Sequence, residues 1–276
     1  MPVSARADSD NAPQGYYVYG ITDGAPEGLA PGVGPGAPVE VLVVGDLGAI
    51  ISPVPLAAFT PEAVRARQDD LAWIADQVRL HQEVLARALP RATVVPLRFG
   101  TVFRDAEGVR AMVREHAARF REALAYLAGR QEWGLNISVD QARLAEQVAT
   151  TSPRIQQLAA RQQALRSGAA YMLAKQRDQI LREEVDQAIE NCVRNVHARL
   201  AAEAVATVAG GATSGSAASG TEPVFKSAYL VETRNARTFL ALLDDLAAAQ
   251  PAFSFTVNGP WPAYSFVNLM LEQTHA

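Results

Sequence analysis

Two histidines offer the best raw material for chemistry in this chain of 276 residues. His81 lies in the run Leu71, Ile74, Val78, His81, Leu85, Leu89, and His116 in the run Val109, Met112, Val113, His116, Phe120, Leu124, Leu127. Steps of three and four residues put each imidazole on the apolar face of a helix. A buried neutral imidazole can serve as a general base or a metal ligand, and two helices packed side by side would bring such a pair together. Neither stripe carries an Asp or Glu to complete a triad or a three-ligand site. A core histidine bonded to a backbone carbonyl is the commoner arrangement. The His81/His116 region therefore stands as an alternative, a small-ligand or enzymatic site, while His197 and His275 read as exposed.

The other candidates carry less. Arg98 is the one charge in Thr93–Phe103, so it either faces solvent or pairs with a carboxylate, because an unpaired buried guanidinium is costly. Gly32-Val33-Gly34-Pro35-Gly36-Ala37 has no third fingerprint glycine and no Lys-Ser/Thr pair, and a strand follows it, so it is a plain loop. The pairs Glu183-Glu184 and Asp244-Asp245 point about 100° apart on a helix and share no site. Cys192 falls on an apolar stripe and behaves as a small hydrophobe. No catalytic residue, metal ligand or cofactor is expected.

Composition narrows the function classes. The 25 Lys and Arg are outnumbered by 29 Asp and Glu and read as scattered, so no nucleic-acid surface is expected. One cysteine excludes an internal disulfide or a cysteine zinc cage and fits a reducing cytoplasm. Residues 1–15 read as a disordered tail without a signal peptide. No apolar run reaches the roughly 18 residues of a membrane span; Asp46 interrupts the best stretch, Val39 to Ile51.

The elements that must position these residues follow from pattern. Tyr16–Ile21 is a strand, Gly24–Pro38 a loop, and Val39–Val44 with Ala49–Val54 a hairpin with a four-residue turn Gly45–Gly48. Thr60-Pro61-Glu62 starts a helix that Pro90 ends. Thr93–Phe103 is a strand with Pro96 at an edge or bulge, and 105–128 a helix. Glu132–Val139 alternates as a strand, followed by a short helix near 140–149 and a long helix ending near 207. Its stripe is Leu181, Val185, Ile189, Cys192, Val196, Leu200. Residues 208–221 read as a flexible linker. Val224–Val231 is a strand and Asn235–Ala249 a helix. The amino domain spans 16–128 and the carboxyl domain 129–276, a small sheet with inserted long helices.

The chain closes on Phe253, Phe255 and Val257 alternating with polar residues, and then Gly259-Pro260-Trp261-Pro262-Ala263-Tyr264. The prolines lack amide donors, so the strand should leave the sheet at Gly259-Pro260. Trp261, Tyr264 and Phe266 make this turn either a core plug or a docking surface. The plug is preferred, with Trp261 and Tyr264 covering the sheet end and pinning the carboxyl end to the strand around Trp133.

Taken in order, Tyr16–Ile21, Val94–Phe103, Glu132–Leu135, Gly168–Leu173 and Gly259–Phe266 resemble the gas vesicle GvpF/GvpL family from Tyr16 to about Val267. Asn136 and Ala263 depart from the pattern, standing where a lysine and a second proline are usual. The resemblance implies an α+β protein of two domains, the amino domain of modified ferredoxin-like type. It implies no enzyme but an accessory or minor component that assembles gas vesicles in the cytoplasm. It implies contact with the hydrophobic shell protein GvpA and, for L-type members, with other accessory proteins. Leu97, Arg98, Phe99, Trp133, Gly259, Pro260, Trp261, Pro262 and Tyr264 are the motif residues it marks, as structural or partner-binding positions.

Overall fold

Tyr16–Ile21 forms the centre of β1 (Gln14–Thr22) in the computed structural model, which describes residues 14–29, 31–33, 38–67, 69–163, 167–210 and 221–267. The expected tail up to residue 13 and the linker core 211–220 lie outside the described residues. The fold is α+β, with two sheets and two compact units. One unit comprises the described residues up to Glu132 together with Pro260–Val267; the other is Trp133–Gly259. The final turn thus belongs with the amino-terminal unit, whereas the sequence division at 128/129 kept it in the carboxyl domain.

In the first unit β1 pairs antiparallel with β3 (Leu47–Pro55), and β3 with β2 (Glu40–Val44). Val44 faces Leu47, so the hairpin turn is the two residues Gly45-Asp46 and not the four expected. Gly45 takes φ 67°, which suits the first position of such a turn. On its other edge β1 meets β4 (Val94–Pro96) and β5 (Val102–Phe103). The single strand expected over 93–103 is therefore two short ones separated by a loop. Pro96 cannot continue the ladder, and Gly100 turns the loop at φ 84°.

The helix expected from Thr60 is also two. Thr60 Oγ1 accepts from Ala63 N to start α1 (Pro61–Ala66), and Asp70 accepts from Trp73 N to start α2 (Leu71–Ala88). Leu71 is 75% exposed, so the apolar stripe begins later than its spacing suggested. Val84, Leu85 and Ala88 of α2 pack on Tyr17, Tyr19, Ile50 and Val54. The expected helix over 105–128 breaks at His116 into α3 (Ala106–Glu115), which lies against β1, β2, β3 and β5, and α4 (Ala117–Leu127), which lies against β4. With helices taking up both its faces, β1 is buried almost throughout, which is why Tyr16–Ile21 shows no apolar–polar alternation.

The second unit is built on β6 (Arg130–Val139), whose Trp133, Leu135, Ile137 and Val139 are buried in the expected alternation. Sheet order is β7-β8-β6-β9, with β7 (Ala206–Gly210), β8 (Glu222–Glu232) and β9 (Phe253–Trp261). Two expectations fail here. The long helix ends at Glu203, and Ala206–Gly210 pairs with β8 instead of opening a linker. Strand β9 also continues through Pro260 to Trp261, since proline is tolerated at the end of an edge strand. The core joins β6 and β8 to α7 (Ser167–Glu203), through Val185, Cys192, Val196 and Leu200, and to α8 (Ala236–Ala248), through Phe239, Leu243 and Leu246. Helices α5 (Gln141–Thr151) and α6 (Pro153–Gln163) complete the unit, α6 packing on α7 through Ile155, Leu158 and Ile180.

Candidate functional site

Three segments far apart in sequence meet in the first unit at His81. Helix α2 supplies the imidazole, β1 supplies Tyr17 and Tyr19, and the closing turn supplies Tyr264. Tyr17 Oη lies 2.8 Å from His81 Nδ1 and Tyr264 Oη 2.5 Å from His81 Nε2, so both ring nitrogens are engaged. The loop after β4 adds Phe99, whose ring centroid is 5.9 Å from the imidazole and 6.2 Å from Tyr17. Tyr17 and Tyr19 sit on one face of β1 with ring centroids 4.8 Å apart, despite the bulge between Val18 and Gly20.

Proton placement follows from donor counting. Tyr17 Oη already accepts from Gly100 N (3.0 Å), so its own proton goes to His81 Nδ1. His81 Nε2–H then donates to Tyr264 Oη, and the remaining hydroxyl proton falls on half-buried Tyr264. The other tautomer would strand a proton on Tyr17, which is fully buried, at greater cost. Burial lowers the His81 pKa to about 4 and raises those of Tyr17 and Tyr264, so the cluster is neutral near pH 7. Tyr19 closes a second chain: Val33 N donates to Tyr19 Oη, Tyr19 to Ser52 Oγ, and Ser52 to Pro38 O.

The closing turn is held at a second point. Glu132 is buried, and its two carboxylate oxygens accept from Ser265 N (3.0 Å) and Ser265 Oγ (2.7 Å). Burial raises the Glu132 pKa, and the two Ser265 donors offset part of that rise. Ala263, Phe266 and Val267 are buried beside these contacts.

Next to the cluster lies an apolar groove of about 640 Å³. Val33, Val54, Ala58, Phe59, Trp73 and Leu80 line it. Arg67, Asp76 and Arg79 also border it, the Arg67 guanidinium lying 4.7 Å from the Trp73 ring centroid. Phe59 packs edge-on against Tyr17, which links the groove to the buried cluster.

The motif residues divide clearly. Leu97, Arg98 and Phe99 form the loop between β4 and β5, where Leu97 N donates to Tyr19 O, Arg98 is exposed and Phe99 is 41% exposed. Arg98 is therefore not a buried guanidinium. Pro262 is buried, Tyr264 bonds His81, Trp261 is half-buried, and Gly259 and Pro260 are exposed. Trp133 lies on β6 in the second unit's core, and among the described residues its Nε1 has no hydrogen-bond partner.

His116 is not brought to His81. It sits in the break between α3 and α4 and packs edge-on against Phe120, and no hydrogen bond or ring contact joins the two imidazoles. His81 is bonded to two tyrosine hydroxyls and not to a backbone carbonyl, so that expectation is corrected as well. His197, read as exposed, is half-buried and bonded to Tyr229 Oη at 3.0 Å. Among the described residues no three His, Cys, Asp or Glu side chains are placed to hold a metal, and no helix is long and apolar enough to cross a membrane. The residues that sequence reasoning missed are Tyr17, Tyr19, Glu132 and Ser265. A signal existed for the tyrosines: spaced by two in a strand, they share one face, and buried hydroxyls need a polar partner such as His81.

The chain as a whole is similar to known proteins. The family profile described as "Gas vesicle synthesis protein GvpL/GvpF" matches residues 15–268. Gas vesicle protein L of Streptomyces sp. (strain CB03234) is 34% identical over 265 residues, covering 94% of this chain and 95% of the relative. Gas vesicle protein F of the same strain is 30% identical over 256 residues, covering 91% and 98%. The crystal structure of gas vesicle protein GvpF from Anabaena sp. PCC7120 superposes with a TM-score of 0.68 over 92% of this chain and 98% of that one; at 19% identity it speaks to the fold alone. A profile match spanning both units, together with a relative aligned over nearly its whole length, places this chain in the GvpL/GvpF family of gas vesicle synthesis proteins.

Proposed function

We propose that the protein is a gas vesicle assembly or structural accessory factor, acting in the cytoplasm, that holds an apolar segment of the shell protein GvpA in the groove of its first unit. The observation that carries this reading is the groove itself. Half-buried Ala58, Phe59, Trp73 and Leu80 present apolar surface that the unit's own core leaves uncovered. Family membership supports an occupant from the gas vesicle, and a hydrophobic shell subunit matches the lining. We assign the exposed Phe99 ring as a second contact, and Pro262–Val267 a structural role that keeps α2, and with it one groove wall, in place.

The test is a co-expression pull-down with the shell protein. Wild type is expected to retain it in the soluble fraction. Ala58→Arg, which fills the groove from a half-buried position, is expected to lose it without a change in melting temperature. Shell protein recovered equally with Ala58→Arg would overturn the groove assignment. Trp261→Ala is expected to lower stability while retaining the shell protein; lost capture in a fully stable variant would instead make the turn a docking surface.

A further inference from the structure

The positive charge of this chain is not evenly scattered, contrary to the first reading of its composition. Between Gln147 and Arg182 the only acidic residue is Asp178, against Arg154, Arg161, Arg166, Lys175, Arg177 and Arg182, a net +5 inside a chain of −4; the remainder sums to −9. Apart from Arg166, which lies outside the described residues, these side chains belong to α6 and the amino-terminal half of α7. The two helices pack through Ile155, Leu158, Leu173 and Ile180, which leaves their polar faces outward. Arg177 bonds Asp178 (2.9 Å) and Gln162 (3.3 Å), so the one carboxylate of the segment is already taken. Arg154, Arg161, Lys175 and Arg182 are exposed, and among the described residues none of them pairs with a carboxylate.

Beside these charges stand Tyr171 and Met172, 69% and 65% exposed, the two most exposed large apolar side chains among the described residues of the second unit. Tyr171, Lys175 and Arg182 fall on one face of α7, at steps of four and seven, along about 16 Å of helix. From this juxtaposition we propose that the α6–α7 helix pair is a docking surface for a short acidic protein segment bearing apolar side chains, its carboxylates meeting Arg154, Arg161, Lys175 and Arg182 and its apolar groups covering Tyr171 and Met172. Charge complementarity argues for an acidic occupant. A long nucleic acid is disfavoured because it would also meet a remainder of −9. A lipid surface is disfavoured because, among the described residues of the pair, the exposed large apolar side chains are Tyr171 and Met172, Leu173 and Ile180 being turned into the helix pair. This surface is independent of the groove assigned to GvpA.

The test is fluorescence anisotropy on the full chain, using a fluorescein-labelled glutamate-rich peptide that carries leucines. Its glutamine counterpart, phosphatidylserine-containing vesicles and a single-stranded oligonucleotide serve as comparators. Wild type is expected to bind the glutamate peptide in preference to all three. Arg154→Glu/Arg161→Glu/Lys175→Glu is expected to weaken binding at least about tenfold, and Tyr171→Ala/Met172→Ala about threefold. Ala58→Arg leaves this binding unchanged, which separates failure here from failure of the groove reading. Should the charge reversals perturb folding, the neutral Arg161→Gln/Lys175→Gln pair reports the same loss. The proposal is overturned by an unbound glutamate peptide, by equal binding to its glutamine counterpart or to the charge-reversed or charge-neutralised variants, by indifference to Tyr171 and Met172, or by tighter binding to vesicles or oligonucleotide.

Discussion

Both units join a histidine to a tyrosine hydroxyl, but under opposite conditions. His81 is buried between Tyr17 and Tyr264 with both nitrogens bonded; His197 is half-buried at the edge of its core, with its Nδ1 bonded to Tyr229. Around His81 the packing is organised by polar chains that run through Tyr17, Tyr19, Ser52 and Glu132. Around Tyr229 it is organised by aliphatic and aromatic surface, with burial raising the tyrosine pKa to about 12. A buried network that is fully satisfied specifies one arrangement, because each partner lost leaves another group stranded. An apolar core tolerates change so long as volume is kept. The first unit should therefore be brittle at a few atoms, and the second should yield gradually.

The largest expected effect tests that contrast directly. His81→Ala strands a fully buried Tyr17 hydroxyl and opens a cavity, for a loss of about 3–5 kcal/mol. His197→Ala costs less, about 1–2 kcal/mol: Tyr229 is as buried as Tyr17, but His197 itself is half-buried, so truncating it opens the stranded hydroxyl to water. Hydrogen exchange read separately on β1 amides and β6 amides checks both; comparable losses would erase the distinction between the units.

Acid should distinguish the units next. The folded His81 pKa, about 4, lies below the ordinary value of 6.5, so the unfolded chain binds this proton first. Its stabilisation is complete above about pH 6.5 and is lost as pH falls towards 4, a change of about 3 kcal/mol. Glu132 works in the opposite sense. Its folded pKa is raised above the ordinary 4.5, so its contribution is present below that value and fades as pH rises. Glu132→Gln is therefore expected to steepen the loss between pH 6.5 and 4, and His81→Phe to flatten it, in urea melts followed across that range.

Smaller changes refine the picture. Ser265→Ala removes one of two donors to Glu132 and should cost about 1–2 kcal/mol, with protection lost first in the closing turn. Arg121 and Asp46 form a bidentate pair that holds the Asp46 pKa at about 2, yet both groups are exposed. Arg121→Ala is expected to leave the melting temperature unchanged at physiological salt. A clear shift would show that surface charge also organises the first unit.

Much of the fold was legible because one face of each element met water. Strand β6 announced itself by alternation, α8 by its stripe, and the start of α1 by Thr60-Pro61. Breaks inside apolar stripes were not legible. The α3–α4 junction at His116 contains no glycine or proline, and both helices keep their stripes turned inward, so the spacing runs on unbroken. The sequence divides strand β7 between a helix end at 207 and a linker from 208, because Ala206–Gly210 has little strand character of its own; its pairing with β8 decides its conformation. Of the candidate site, His81 was visible on its helix face, but its partners were not, since Tyr264 lies 183 residues away.

By itself the sequence determined the class of fold and the family, through local pattern and the order of its motifs, among them the two proline-containing segments around Phe99 and Pro262. Only the tertiary structure decided that both segments converge on His81, and that His116 stands apart. It also carried the closing turn back to the amino-terminal unit. The physical reason is that a buried hydroxyl or imidazole constrains the fold only through its partner, and the chain supplies those partners from distant segments that packing alone brings together.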